Sequence, residues 1–191
     1  MIRVASVNVN GVRAAFRKGM QPWLDASGVD VLALQEVRAE REDLVALLGD
    51  EWIVANDEAS AKGRAGVAIA TRAHQDAIRT TLGPDTVDTA GRWIEVDITT
   101  PEGNPLTIVS CYVHSGEAGT PKQDAKYEFL DIMSGRMQEI GTQSEYALVV
   151  GDLNVGHRSL DIRNWKGNLK NSGFLPQERA YFDQWIGSEQ D

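Results

Sequence analysis

One cysteine, Cys111, stands in a chain of 191 residues. A single thiol excludes an internal disulfide and any multi-cysteine zinc cluster. Long apolar runs are also missing: Val31-Leu32-Ala33-Leu34 and the stretch from Tyr146 to Val150 fall far short of the ~18–20 residues a membrane helix needs. The start, Met1-Ile2-Arg3-Val4, lacks the charged head and apolar block of a secretory signal, so a cytoplasmic address is expected. Positive charge is scarce, with 19 basic against 28 acidic side chains and a net charge of −9. Sequence-independent phosphate binding needs a positive field, so the charge balance argues against a simple DNA coat, although its distribution matters more than the sum. Repeats, low-complexity tracts and linkers are absent, and at ~100–200 residues per domain residues 1–191 read as one globular domain.

The basic residues are unevenly spread. Residues 1–24 hold Arg3, Arg13, Arg17 and Lys18 and no acid, and 157–171 hold Arg158, Arg163, Lys166 and Lys170 against only Asp161. Either cluster alone suits solvated surface.

Along the chain, residues 2–8 form a β-branched run ending at Asn8-Val9-Asn10-Gly11, a strand entering a loop. Phe16, Met20, Trp23 and Leu24 recur at helical spacing up to Ser27-Gly28, predicting one helix. Asp30 to Gln35 is apolar enough for a strand buried on both faces, and Glu36 follows it. Leu44, Leu47 and Leu48 mark a short helix, and Trp52 to Ala55 and Gly66 to Ala70 mark two strands. Residues 92–113 read as a hairpin turning through Pro101-Glu102-Gly103-Asn104-Pro105, its alternation implying one wet face. A long helix starts at Thr120-Pro121 and ends at Gly141, a compact buried strand spans Tyr146 to Val150, and Pro176 starts a last helix to Ile186. Strands alternating with helices early and forming a hairpin later imply a layered α/β fold with a mixed or antiparallel sheet.

Three strand ends carry polar tips: Asn8 and Asn10, Glu36, and Asp152 with Asn154. Layered α/β proteins place ligands at such ends. Glu36 as a hard carboxylate and Asn10 as an amide oxygen suit Mg²⁺, which keeps several waters and favours phosphate as a partner. Asp152 could orient or deprotonate a water, and the asparagine amides could donate to a phosphate oxygen, which makes phosphodiester hydrolysis the natural reaction. Each tip alone has a plainer reading, as a solvated exit from the core or an aspartate turn. His74, His114 and His157 show no ligand spacing and read as structural or surface residues.

Together these segments resemble the exonuclease III type of apurinic/apyrimidinic (AP) endonuclease, within the wider exonuclease, endonuclease and phosphatase superfamily. The resemblance is carried by Asn8-Val9-Asn10-Gly11-Val12-Arg13, Leu34-Gln35-Glu36, Gly91-Arg92, Cys111-Tyr112-Val113 and Gly151-Asp152-Leu153-Asn154-Val155. The stretch from Asp161 to Phe174, followed by Pro176-Gln177-Glu178-Arg179, belongs to the DNA-repair branch. The resemblance implies a four-layer α/β sandwich with two mixed β-sheets and an Mg²⁺ or Mn²⁺ site at one edge. Glu36 would be the main metal ligand with Asn10 nearby, Asn8 and Asn154 would hold the scissile phosphate or the water, Tyr112 would hydrogen-bond the phosphate, and Asp152 would activate the nucleophile. Arg13, Arg92, Asn164, Asn168 and Asn171 would lie along double-stranded DNA bearing abasic sites or 3′ ends, contacting phosphate without reading sequence.

The chain departs from the family in Val7, Val37-Arg38 and His114-Ser115, and it stops before the family's closing Ser-Asp-His segment and the earlier Asp that complete the site. A truncated form of a longer enzyme is therefore expected. Losing one preorganised donor costs on the order of 10²–10³ in rate. Two alternatives follow: a catalytically incomplete DNA-binding or assembly module, and a phosphatase of the same superfamily acting on small phosphoesters, against which the 161–174 stretch argues.

Overall fold

A computed structural model describes residues 1–61, 63–82, 87–88 and 90–187. They form two compact units, one of Met1–Tyr112 with Glu139–Asp152 and one of Val113–Gln138 with Leu153–Asp191.

The first unit is built on two mixed sheets. Strands β1 (Val4–Asn8), β2 (Val31–Gln35), β4 (Val67–Thr71) and β3 (Ile53–Asp57) lie side by side in the order β1-β2-β4-β3. In the second sheet the order is β10-β9-β8-β5, from β5 (Gln75–Arg79), β8 (Trp93–Thr99), β9 (Pro105–Tyr112) and β10 (Ala147–Asp152). A two-stranded ribbon, β6 (Thr81–Leu82) with β7 (Val87–Asp88), completes the strands. Each four-stranded sheet has one parallel pair, β1 with β2 and β9 with β10, and is otherwise antiparallel.

The sheets face each other through Val31, Ala33, Val67 and Ile69 on one side and Ile94, Val96, Ile98 and Ile108 on the other. The far face of the first sheet, with Leu32, Leu34, Ala68 and Ala70, packs on Val12, Leu24, Leu44 and Leu48 from helices α1 (Val12–Arg17), α2 (Met20–Ser27) and α3 (Arg41–Leu48). With apolar partners on both faces, every residue of β2 is buried, as its continuous apolar run predicts.

The second unit is helical. It holds most of α4 (Pro121–Gln143) with a short 3₁₀ turn (Ser159–Asp161), α5 (Trp165–Asn168) and α6 (Pro176–Ile186). Within it α4 meets α6 where the Tyr127 and Tyr181 rings stack at 6.4 Å and where Trp185 Nε1 donates to Ser134 Oγ at 2.9 Å.

The structure corrects several local expectations. The single helix foreseen through Phe16 and Leu24 is two, because Gly19 adopts a left-handed backbone (φ +102°) that ends one helical run and opens the next. The hairpin's polar positions are only partly wet, with Thr99 exposed and Asp97 half-buried but others covered. Glu95 is fully buried, accepting from Arg79 Nε at 2.7 Å and Trp93 Nε1 at 2.9 Å, and Thr107 Oγ1 reaches both Asp97 (2.8 Å) and Ser144 (2.8 Å). Alternation there marks a polar network under cover, since paired polar groups can be buried without cost to the core. Conversely β10, expected to be buried, is an edge strand with Leu148 37% exposed. An apolar run does not distinguish a central from an edge position. Helix α4 also runs through Gly141 to Gln143, and β5, β6 and β7 carried no strand signal.

Candidate active site

The two parallel pairs bring four sequence-predicted residues together. Asn8 ends β1 opposite Gln35 at the end of β2, with Glu36 next in the chain; Tyr112 ends β9 opposite Asp152 at the end of β10. Because each pair is parallel, its two carboxyl ends lie at one edge, the place where open α/β sheets take ligands. Asn8 joins the two sheets there: its Nδ2 donates to Glu36 Oε1 at 2.9 Å and to Asp152 Oδ2 at 2.7 Å. The other Glu36 oxygen accepts from the Arg38 guanidinium. Tyr112 stands beside both acids. Burial first, and then the negative charges of Glu36 and Asp152, push its phenol above the usual tyrosine range, so the hydroxyl remains a donor at neutral pH.

Backbone geometry holds the tips out. Glu36 takes a left-handed conformation (φ +50°), uncommon for a residue with a long side chain, and Asn10 (φ +45°) does likewise. Flanking hydrogen bonds fix that turn: Gly11 N donates to Glu36 O at 2.7 Å, and Val37 N to Gly66 O at 3.0 Å. Asn10 is exposed, and its N–H donates to Asn8 Oδ1 at 3.0 Å, orienting the Asn8 amide toward the two acids.

Gly151, one residue before Asp152, is there for a close approach. A Cβ on it would lie 1.9 Å from the Cys111 carbonyl oxygen, inside the β9–β10 ladder. Cys111 itself is buried, and its thiol is pushed up to about 12 by that burial and then by Asp152, which keeps it un-ionised and inert.

Beneath the tips lies a network that the sequence reading did not single out. Gln35 is buried, and its Nε2 donates to Ser110 Oγ at 3.0 Å and to Ser6 Oγ at 3.2 Å; Ser110 Oγ in turn donates to Leu34 O at 3.0 Å. These bonds tie β1, β2 and β9 together one or two residues before Asn8, Glu36 and Tyr112. The available signal was an amide at the end of an otherwise apolar strand.

The other predicted residues have these local surroundings. Arg13, on α1, pairs with Asp43 of α3. Arg92 precedes β8, and its carbonyl accepts from Tyr112 N at 2.8 Å. Asn154 belongs to the second unit, with a left-handed backbone (φ +48°) and Nδ2 donating to Val113 O at 2.8 Å. In the same unit Asn164, Asn168 and Asn171 knit α5 together: Asn168 Nδ2 donates to Asn164 O at 2.9 Å and Asn171 Nδ2 to Asn168 Oδ1 at 3.1 Å. His157 is structural, bonded to Asp183 at 2.8 Å and stacked on Phe182.

Two carboxylates thus converge on one amide beside a phenol, at the carboxyl ends of the two mixed sheets. Residues 5–189 match the Endonuclease/Exonuclease/phosphatase family, and the chain belongs to it. It is 30% identical over 193 residues to a zebrafish (Danio rerio) protein, DNA repair nuclease APEX1, covering 97% of this chain and 59% of that one. A Bacillus subtilis exodeoxyribonuclease is 27% identical over 186 residues, with 97% of this chain and 71% of the relative covered. An AP endonuclease from Archaeoglobus fulgidus superposes with a TM-score of 0.78 at 22% identity, over 96% of this chain and 69% of that structure. The fold is thus shared, and the chain spans roughly three-fifths to seven-tenths of these proteins' lengths. Among the described residues no helix is long and apolar enough to cross a membrane.

Proposed function

We propose that the protein is a metal-dependent DNA phosphodiesterase of base-excision repair, acting as an AP endonuclease and 3′–5′ exonuclease on double-stranded DNA, with a cytoplasmic address. The observation that carries this reading is the Asn8 amide shared by Glu36 and Asp152, one acid from each sheet, with the Tyr112 phenol beside them. The names of its relatives, a DNA repair nuclease and an exodeoxyribonuclease, support the substrate class.

The residues fit a hard divalent cation. Among the described residues no three His, Cys, Asp or Glu side chains cluster. The Glu36 carboxylate and the Asn10 amide are hard oxygen donors of the kind Mg²⁺ and Mn²⁺ take, and Mg²⁺ in particular keeps several waters and leans on substrate phosphate. Glu36, already neutralised by one cation through Arg38, would hold the ion, with Asn10 nearby. When bound, the ion polarises the phosphoryl oxygen and offsets developing charge. Tyr112 donates its O–H to a non-bridging oxygen, Asp152 takes the proton of the attacking water, and the Asn8 amide keeps Asp152 aimed. Asn154 holds the phosphate or the water, and Arg13, Arg92, Asn164, Asn168 and Asn171 follow the strand backbone, a sequence-blind role suited to repair.

The test is incision of a duplex with one abasic site, with Mg²⁺ or Mn²⁺ and with chelator. Metal-dependent cleavage that Glu36→Gln abolishes supports the reading. Binding without cleavage supports an assembly module instead, and faster hydrolysis of small phosphoesters than of DNA supports a phosphatase.

A further inference from the structure

The second unit contains an ion pair the proposed chemistry does not use. Lys126 of α4 and Glu178 of α6 are both fully buried, with Nζ 2.6 Å from Oε1. A buried pair of this kind is commonly no more stabilising than apolar residues of the same volume, because desolvation cancels the attraction. Its other bonds show what it does. Lys126 Nζ donates to the carbonyl oxygen of Asn154 at 2.9 Å. Glu178 Oε1 also accepts from Gln123 Nε2 (3.1 Å) and Ser172 Oγ (3.2 Å), and Oε2 accepts from the backbone N–H groups of Gly173 (2.7 Å) and Leu175 (3.0 Å).

We infer that Lys126 and Glu178 form a buried bracket that positions Asn154 and, through the 172–175 turn, the asparagine-rich segment ending at Asn171. The inference rests on the reading of Asn154 as a phosphate or water ligand. Asn154 has a left-handed backbone, a conformation that persists only when its surroundings hold it, and Lys126 holds its carbonyl while Val113 O holds its side chain. The turn lies directly against it. A Cβ on Gly173 would come 3.3 Å from Asn154 O, and Gly156 N donates to Gly173 O at 2.8 Å. Glu178 clamps that turn from the other side, one residue beyond Asn171. Lys126 and Glu178 are thus positioning residues that touch no substrate.

The test is a mutational cycle on metal-dependent incision of an abasic duplex: Lys126→Met with Glu178→Met, Asn154→Ala, and all three together, with Tm measured for each. The Met pair should fold, leave KM within about threefold, and lower kcat about 10²-fold, the loss that a misplacement of ~1 Å produces. On the Asn154→Ala background the same pair should change kcat by less than about threefold, since nothing remains to be positioned. A purely structural pair would give the same loss on both backgrounds, and that additivity overturns the bracket. So does an unchanged kcat for the Met pair when Asn154→Ala is impaired. Full activity in Asn154→Ala, or no incision by the parent, removes the underlying reading and the bracket with it. If the Met pair does not fold, Glu178→Gln enters the same cycle, with a smaller kcat loss expected and the same additivity criterion.

Discussion

Glu36 and Glu178 are the same residue type handled in opposite ways. Glu178, at the start of α6, is fully buried and saturated, accepting from Lys126, Gln123, Ser172 and two backbone N–H groups. Glu36 sits at a sheet edge with a left-handed backbone, near a second acid with which it shares the Asn8 amide, and its charge is paired with the guanidinium of its neighbour Arg38. A fold that needs a carboxylate for structure surrounds it with donors, as it also does for Glu95 between Arg79 and Trp93. A carboxylate set beside another acid, where their negative charges add, is set for a cation or a proton.

That contrast breaks most readily by neutralising one side of it. Glu36→Gln and Asp152→Asn should each lower incision by on the order of 10²–10⁴, the range for loss of an acid–base or charged group. Thermal unfolding should be unchanged or slightly raised, because one of two neighbouring negative charges is gone. A fall in Tm matching the loss of activity would mean that these acids are structural. Next in size is Lys126→Met alone, which strands Glu178 without its cation and should cost about 3–5 kcal/mol by chemical denaturation. Adding Glu178→Met should recover most of that, whereas no comparable rescue exists for Glu36.

How far the sequence discloses this contrast follows from what each feature needs. The strand-end tips Asn8, Glu36 and Asp152 are legible because each follows an apolar run, Tyr112 is legible only through the family resemblance, and the mixed sheets are legible because β2 reads apolar while β8 and β9 alternate around a turn. Partnership across the chain is not legible. Nothing in Lys126-Tyr127 or Gln177-Glu178 distinguishes a buried pair 52 residues apart from two solvated charges. The wet face read for β8 holds at Thr99 but not at buried Glu95, since alternation gives direction and not what lies over it. Strand β5 carried no signal because Gln75-Asp76-Ala77-Ile78-Arg79 is polar and joins its sheet through the Arg79 pairings with Glu95 and Asp97. Nothing in the sequence around Gly151 shows a close approach, and only the β9–β10 register reveals its contact with Cys111.

Two glycine substitutions sharpen the comparison at the level of packing. Gly151→Ala forces a Cβ into the Cys111 carbonyl, so β10 must shift and carry Asp152 with it; about 1–3 kcal/mol of stability should be lost together with incision. Gly141→Ala, inside α4 with nothing within 4 Å of the new Cβ, should instead gain about 0.5–1 kcal/mol and leave incision alone. Equal effects at the two positions would remove the argument that Gly151 is a close approach at the site.

The smallest effect is confined to acid. Burial pushes the Glu178 carboxyl up, but Lys126, the Leu175 N–H and Gln123 together hold it below the ordinary glutamate range. A depressed native value means that the unfolded chain takes up this proton first as pH falls. The stability Glu178 contributes is therefore complete above the ordinary carboxylate range and is lost on descending through the lower native value. Denaturant unfolding followed against pH should show that loss in the parent, and Glu178→Gln, with no proton to take up, should flatten it while being less stable at neutral pH. An acid limb unchanged in Glu178→Gln would assign the acid sensitivity to other carboxylates.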